Sequence, residues 1–477
     1  MCKVRLLGAL GCIVLLGLGC APTLSQNKPR EPKRVLPASY AAAQPTAAAA
    51  AEQNLVEKTW QELFDAPELK ALIATALQNN QELNIRVQEI IIAQNEVMAS
   101  EGEYLPKVSV GVGAGVDKVG KHTSQGVSDE AHELPSILQN YRLGFSASWE
   151  VDIWGKLRNA AKAAALRYLS SVEGRNFVVT KLVAELARSY YELLALDSQL
   201  AVLKQNIDIQ SNGLQAVRLQ KEAAKVTELA VQRFEAEVLK NQSRQYDLQQ
   251  RIVEAENRIN FLVGRYPQPV ARSVQSFEAP LPSAISAGIP TQLLENRPDV
   301  KQAELDLAAA KLDVQVAKAR FYPALSIDAG VGYQAFNVKH LLATPESLIF
   351  NLAGNLTAPL LNRQAIKADY FSANAAQVQA VFKYEQTLLQ AFTEVANQLA
   401  MLSNLDKSYQ LASQQVERLT RSIETSNVLF QSARADYMEV LTTRRDSLES
   451  QMELIETKLR QRHALVNMYQ ALGGGWR

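Results

Sequence analysis

Four stretches of the chain alternate apolar with small or polar residues at period two, each over about ten residues, the length a tilted strand needs to cross hydrocarbon. In the first, Val108, Val110, Val112, Ala114 and Val116 alternate with Ser109, Gly111, Gly113 and Gly115. In the second, Tyr141, Leu143, Phe145, Ala147, Trp149 and Val151 alternate with Arg142, Gly144, Ser146, Ser148, Glu150 and Asp152. The third carries Leu325, Ile327, Ala329, Val331 and Tyr333, and the fourth Phe350, Leu352, Leu356 and Ala358. Four strands cannot close a membrane barrel, because the smallest single-chain barrels use about eight. An open strand edge is not tolerated in lipid either. If these strands cross a membrane, several copies of the chain must share one barrel.

The strands belong to a chain written twice. Asn79-Asn80-Gln81-Glu82-Leu83 matches Asn296-Arg297-Pro298-Asp299-Val300, 217 positions on, and the same offset carries Tyr104-Leu105-Pro106 onto Phe321-Tyr322-Pro323. Ala224-Lys225-Val226-Thr227 matches Ala433-Arg434-Ala435-Asp436 at an offset of 209, which holds to Val263-Gly264 on Leu472-Gly473. A fixed self-similarity marks a repeated structural unit. The change of offset falls in an inter-strand loop near 117–140.

Each strand pair leads into a long helical stretch. No proline occurs between Ser136 and Tyr266, nor between Leu360 and Arg477. Leu388, Phe392, Val395, Leu399 and Leu402 step by four and three, as do Leu448, Met452, Ile455 and Leu459. That is a heptad seam. Residues 156–222 as one helix would span roughly 100 Å at about 1.5 Å per residue. Such seams also suit a dimeric coiled coil, but each pair of long helices folds back at a short turn, near 223–227 and 433–437, and two strands precede each pair.

The N-terminus sets the compartment. Lys3 and Arg5 form a basic region and Leu6 to Leu18 an apolar one, the form of a secretory signal rather than a spanning helix. The stretch ends Leu16-Gly17-Leu18-Gly19-Cys20 and resembles a bacterial lipobox, which implies cleavage before Cys20 and lipidation of its thiol. Pro22, Pro29, Pro32, Pro37 and Pro45, then an alanine run from Ala47 to Ala51, read as an extended tether. Elsewhere no apolar stretch reaches the about 18 residues of a spanning helix.

Composition excludes several classes. With 50 Lys+Arg against 49 Asp+Glu the chain lacks the basic footprint of a nucleic-acid binder. Three Cys cannot make a disulfide scaffold. Gly115-Val116-Asp117-Lys118-Val119-Gly120-Lys121 approaches a phosphate-binding loop, but His122 replaces the Ser/Thr, and the segment is expected to enter a polar loop rather than open a helix. His122, His132 and His340 fall in predicted loops without a close ligand pair, and His463 lies on a long helix. Nucleophile-elbow and HExxH patterns are absent. No catalytic, cofactor or metal constellation is read here, so the chain is expected not to be an enzyme.

Several segments resemble the outer membrane factor family, the TolC-like proteins, and within it the NodT-type lipoprotein branch. They are Trp149-Glu150-Val151-Asp152-Ile153-Trp154-Gly155-Lys156, Leu293-Leu294-Glu295-Asn296-Arg297-Pro298-Asp299, Ala319-Arg320-Phe321-Tyr322-Pro323 and Ala471-Leu472-Gly473-Gly474-Gly475-Trp476. The resemblance implies an α+β membrane protein: a homotrimer whose twelve strands, four per chain, form one outer-membrane barrel continued by a long periplasmic α-helical barrel. It implies an exit duct of a tripartite efflux system, partnered by a periplasmic adaptor (membrane fusion) protein and an inner-membrane pump of the resistance-nodulation-division class. The lipid anchor and the periplasmic extension place it in the bacterial outer membrane. Cargo would be small molecules such as drugs. In the family the helical turns narrow the bore, which makes Lys225, Thr227 and Glu228 on the first turn, and Arg434, Asp436, Tyr437 and Glu439 on the second, candidate gate residues. Ala224 and Ala433 stand where the family usually has Gly, and Thr442 where it often has Asp. Trp149, Tyr141 and Tyr333 are candidate interfacial anchors.

The resulting organisation is a signal peptide over 1–19, a lipidated tether over 20–59, a first repeat over 60–264, a linker over 265–289 and a second repeat over 290–477. Strands are expected at about 107–117, 141–152, 324–334 and 348–358. Long helices are expected at about 156–222, 226–264, 363–432 and 436–472. Two rivals stay open at this point: the duct of a type I protein secretion system, and a lipid-anchored periplasmic coiled-coil protein.

Overall fold

The structure, a computed structural model, describes residues 21–24, 28–33, 36–37, 40, 58–279, 290–361, 363–432 and 434–476. The expected signal peptide, Cys20, most of the expected tether and the end of the expected linker lie outside them. The elements run α1 (Trp60–Leu63), α2 (Pro67–Asn79), α3 (Gln81–Tyr104), β1 (Lys107–Asp117), α4 (Ser124–Ala131), β2 (Leu138–Val151), α5 (Lys156–Glu222), α6 (Glu228–Val263), α7 (Gln275–Glu278), α8 (Gln292–Asn296), α9 (Pro298–Ala319), β3 (Ala324–Ala335), β4 (Leu348–Thr357), α10 (Gln364–Gln431) and α11 (Tyr437–Ala471). No described helix is long and apolar enough to cross a membrane.

The chain divides into two compact units, and each draws on both tandem halves. One comprises the chain up to Pro32, Ile90–Ser170 and Ala303–Tyr384; the other comprises Lys33–Glu89, Ser171–Gln302 and Glu385–Arg477. The first holds a single antiparallel sheet in the order β1-β2-β3-β4. Among the helices of this unit, Ser170 Oγ donates to Asp306 at 2.5 Å, and Arg320 pairs with Asp369 at 2.6 Å.

The second unit holds a conventional core. Tyr190, Leu193, Leu194, Phe64, Phe277 and Tyr469 are all buried in one apolar cluster. The repeat motifs explain themselves here. In the first half, Asn80 Nδ2 donates to the Leu262 carbonyl at 2.8 Å, close to where α6 stops at Gly264. In the second half, Arg297 Nη1 donates to the Ala471 carbonyl at 2.8 Å, where α11 stops. Gly264 and Gly473 both have positive φ, +76° and +86°, and a Cβ on either would lie within 2.6 Å of the carbonyl of Asn79 or Asn296. So the short motif and the distant helix stop are two sides of one contact, made twice. Arg297 is also paired with Asp299 and Glu394, each at 2.7 Å. Burial alone would depress its guanidinium, but these carboxylates outweigh that and raise its pKa.

The linker is clamped rather than loose. Arg272 grips Asp197 and Glu256, and Phe277 is fully buried with the Lys458 ammonium 5.4 Å from its ring. The described part of the N-terminal tether is likewise no free spacer. In the first unit, Ala21 and Leu24 pack beside Phe321 and Tyr370, Arg30 lies 4.3 Å from the ring centre of Phe382, and Glu31 pairs with Lys311 at 2.6 Å. In the second, Tyr40 is buried and stacks on Phe392 at 5.1 Å, and burial pushes its phenol up to about 12. Proline spacing forbids regular structure there, but it leaves single side chains free to dock.

The segment after β1 is expected to enter a polar loop rather than open a helix. It leaves β1 for a turn, as expected, and a short helix, α4, follows from Ser124. Its first turn is satisfied by Thr123, whose hydroxyl accepts from Gly126 N at 3.1 Å. A Cβ on Gly126 would meet the Gly120 carbonyl at 2.1 Å, so that cradle is filled by the chain itself.

Candidate functional site: a two-faced sheet and two helix turns

Strand register sorts the sheet into two chemically opposite faces. Residues directly opposite share a face. Val110, Phe145, Val331 and Phe350 form one row, and Val112, Leu143, Tyr333 and Leu348 the next. On the other face, Ser109, Ser146, Gly330 and Asn351 form a row, followed by Gly111, Gly144, Gly332 and Ile349. Ser109 and Ser146 share a hydroxyl hydrogen bond at 2.8 Å, and Gln334 donates to Asn140 at 2.9 Å. At Gly144 and Gly332 the strands approach so closely that a Cβ would lie within 3 Å of the opposite backbone. The apolar face is bare: Val112 is 81% exposed, Phe350 82% and Leu352 78%. The outer edges of β1 and β4 pair with no strand among the described residues. Water does not tolerate so large a contiguous apolar surface without a covering partner or lipid.

The motif after β2 builds the strand-to-helix corner. Asp152 accepts the amide hydrogens of Leu157 and Arg158 at 3.1 and 2.9 Å, satisfying orphan donors at the start of α5. Gly155 takes φ +72°, which L side chains resist. Trp154 Nε1 donates to the Pro323 carbonyl at 2.8 Å and stacks near Tyr322 at 4.8 Å. Trp149 Nε1 donates to the Tyr104 carbonyl at 3.0 Å. Tyr141 bonds Gln139 at 3.0 Å and Tyr333 bonds Thr344 at 3.1 Å.

The candidate gate residues fall on two helix turns in the second unit. At the first, Ala224 takes φ +56° and Lys225 N closes on the Gln220 carbonyl at 2.8 Å, a left-handed helix stop. Thr227 opens α6 without using its hydroxyl as a cap, and Glu228 pairs with Lys221 of the same hairpin. At the second, Arg434 N bonds the Leu429 carbonyl at 2.9 Å and Asp436 precedes α11, again without a side-chain cap. Ala433 lies outside the described residues. Tyr437 and Leu441 pack with Val226 against a small apolar cluster of Leu214, Val217, Val231 and Phe234. Arg233 Nη1 lies 2.9 Å from Met438 Sδ. Glu439 lines a groove of about 490 Å³ with Ser422, Thr425, Thr442 and Thr443. Of the seven candidates, the structure therefore brings Tyr437 onto the first hairpin and pairs Glu228 locally. Lys225, Thr227, Arg434 and Asp436 make no side-chain ion pair or hydrogen bond among the described residues.

Sequence reasoning missed Arg444. Its Nη2 donates to Asn427 at 3.2 Å, while Nε and Nη1 are buried without a partner among the described residues, and that burial depresses its pKa. A lone arginine at helical spacing gives no signal of this. No group of three metal-ligating side chains occurs among the described residues.

Comparison with known proteins follows the same lines. A family model described as outer membrane efflux protein matches residues 72–265 and 289–474. The pyoverdine export outer membrane protein OpmQ of Pseudomonas aeruginosa is 30% identical over 420 residues, 88% of each chain. The cation efflux system protein CusC of Escherichia coli is 26% identical over 466 residues, 98% of each. Among solved structures, the outer-membrane channel OprN superposes with a TM-score of 0.85 at 21% identity, covering 96% of this chain and 99% of that one.

Proposed function

The chain belongs to the outer membrane efflux protein family, and from that premise we propose that it is the outer-membrane exit duct of a tripartite efflux system. The observation that carries this reading is the sheet. It has one continuous apolar face exposed, one polar face and two unpaired edges. A homotrimer resolves all three at once. Twelve strands close a barrel, β1 of one copy meets β4 of the next, the apolar face meets lipid and the polar face lines water. The helices of three copies form the periplasmic tunnel.

The duct moves solutes and makes or breaks no bond. Its partners are a periplasmic adaptor and a pump of the resistance-nodulation-division class, and its anchor is a lipid on Cys20. The relatives' names mention pyoverdine and cations, a spread that suits a duct whose cargo is chosen elsewhere. Control lies at the helix turns. Lys225, Thr227 and Glu228, with Arg434, Asp436, Tyr437 and Glu439, narrow the bore by packing and charge, and opening must separate Tyr437 from the first hairpin. Purified from outer membranes, the protein should run as a trimer and give discrete single-channel conductance in planar bilayers. A protein that is released as a monomer or dimer once its lipid is removed, and gives no conductance, would instead be a lipid-anchored coiled coil.

A further inference from the structure

The middle rows of the sheet's polar face carry no charge, and its charges lie toward the two ends. From the loop end toward the helix end, its rows run Gly115–Asn140, Gly113–Arg142–Gln334, Gly111–Gly144–Gly332–Ile349, Ser109–Ser146–Gly330–Asn351 and Lys107–Ser148–Asp328–Ala353. Asp117 ends the face at the loops, two rows beyond Arg142 on the neighbouring strand. The charges at the helix end are all engaged: Lys107 with Glu103 at 2.7 Å, Asp328 with Asn355 at 2.9 Å, and Glu150 with Lys156. Arg142 is different. It is exposed, and among the described residues it makes no ion pair and no hydrogen bond. Its neighbours give it room: a Cβ built on Gly111, Gly113 or Gly115 would touch nothing within 4 Å.

We propose that Arg142 is an anion-binding and selectivity residue of the duct. The proposal rests on the reading of the sheet as one third of a closed barrel. Three copies then place three guanidinium groups at one level near the outer mouth, beside rows of glycine, serine and amide side chains broken by Ile349. A guanidinium offers paired N–H donors that match a carboxylate or phosphate oxygen pair. A ring of fixed cations raises the local concentration of anions and opposes cations, as charged rings do in other pores. The ligand class is therefore small anions, above all solutes bearing carboxylates. The glycines of β1 serve the same end, because they leave no side chain on that side to shield the charge, and Gln334 on the other side is bonded to Asn140. Asp117, at the end of the same face, is a single acid two rows away and does not pair with Arg142.

The test uses the full-length trimer in planar bilayers under a potassium chloride gradient, with citrate as the probe anion. The wild type should favour chloride over potassium relative to Arg142→Gln, and Arg142→Glu should lower the anion-to-cation permeability ratio further, by about twofold or more. Citrate added from the outer side should reduce the wild-type current and leave the Arg142→Gln current nearly unchanged, with Arg142→Lys keeping the permeability ratio but losing part of the citrate effect. Because Arg142 is exposed and unbonded, these variants should assemble and conduct. An unchanged permeability ratio and an unchanged citrate effect in conducting Gln and Glu variants would overturn the proposal while leaving the duct intact. Should Arg142→Glu fail to assemble, the Gln and Lys variants decide alone. A wild-type protein that forms no channel at all would instead count against the barrel on which the proposal stands.

Discussion

The two compact units use apolar side chains in opposite senses. In the helical unit, Tyr190, Leu193 and Tyr469 are buried in one apolar cluster. In the sheet unit, Val112, Phe350 and Leu352 point outward and glycine and serine share the opposite face. One chain is therefore built for two solvents. Hydrophobic burial organises the helical unit, whereas for the sheet unit the outside is the apolar phase. The contrast predicts that equivalent changes in the two units will have different costs.

The largest effect is expected where a buried charge loses its partner. Arg297→Ala would remove the bonds to Asp299, Glu394 and the Ala471 carbonyl together, each charge-assisted bond being worth about 1.5–3 kcal/mol. Thermal unfolding of the purified protein should fall accordingly, and an unshifted melting temperature would break the claim that this contact joins repeat motif to helix stop. In the sheet the sharper probe is a pair of neighbours. Phe145→Arg places a charge on the lipid face at a cost of about 2–4 kcal/mol near the bilayer midplane, while Ser146→Arg faces water at little cost. Heat-modifiable trimer in outer-membrane fractions should be lost for the first and kept for the second. Equal behaviour would erase the distinction between the faces.

A smaller effect concerns acidity in the helical unit. His463 is half-buried, its Nε2 lies 3.1 Å from the Arg188 carbonyl, and Arg188, Glu192 and Glu456 surround it. Burial is the chief cause that holds its pKa below the usual 6.5. The unfolded chain therefore takes up the proton first, so stability is full above about 6.5 and falls as pH drops from there through the folded value. His463→Gln should flatten that part of a stability–pH curve measured by denaturant unfolding; an unaltered curve would remove His463 from the account.

Much of this was legible in the sequence because the signals were periodic. Two-residue alternation gave the strands and faces, and long proline-free heptads gave the helices, whose observed ends differ from the expected ones by two residues or fewer. The repeat was visible as offsets of 217 and 209, although its physical meaning, Asn80 and Arg297 each reaching a distant helix end, needed coordinates. What stayed hidden was aperiodic. Tyr40 and Arg30 dock from a proline-rich segment with no pattern of its own, α4 forms in a loop of mixed polarity, and two guanidinium nitrogens of Arg444 are buried without a partner among the described residues. The candidate gate residues were reached through family resemblance, and their turns show local helix-stop chemistry rather than a network among the described residues.

The central claim is that the sheet is part of a closed barrel with lipid on one side and water on the other. Strand β1 tests it best, because it is an edge strand and both its faces are exposed in one chain. Single cysteines at positions 108 to 116, treated with a membrane-impermeant thiol reagent in intact outer-membrane vesicles, report which face meets water. The account predicts labelling at 109, 111, 113 and 115 and protection at 108, 110, 112, 114 and 116. Uniform labelling along the strand would contradict it.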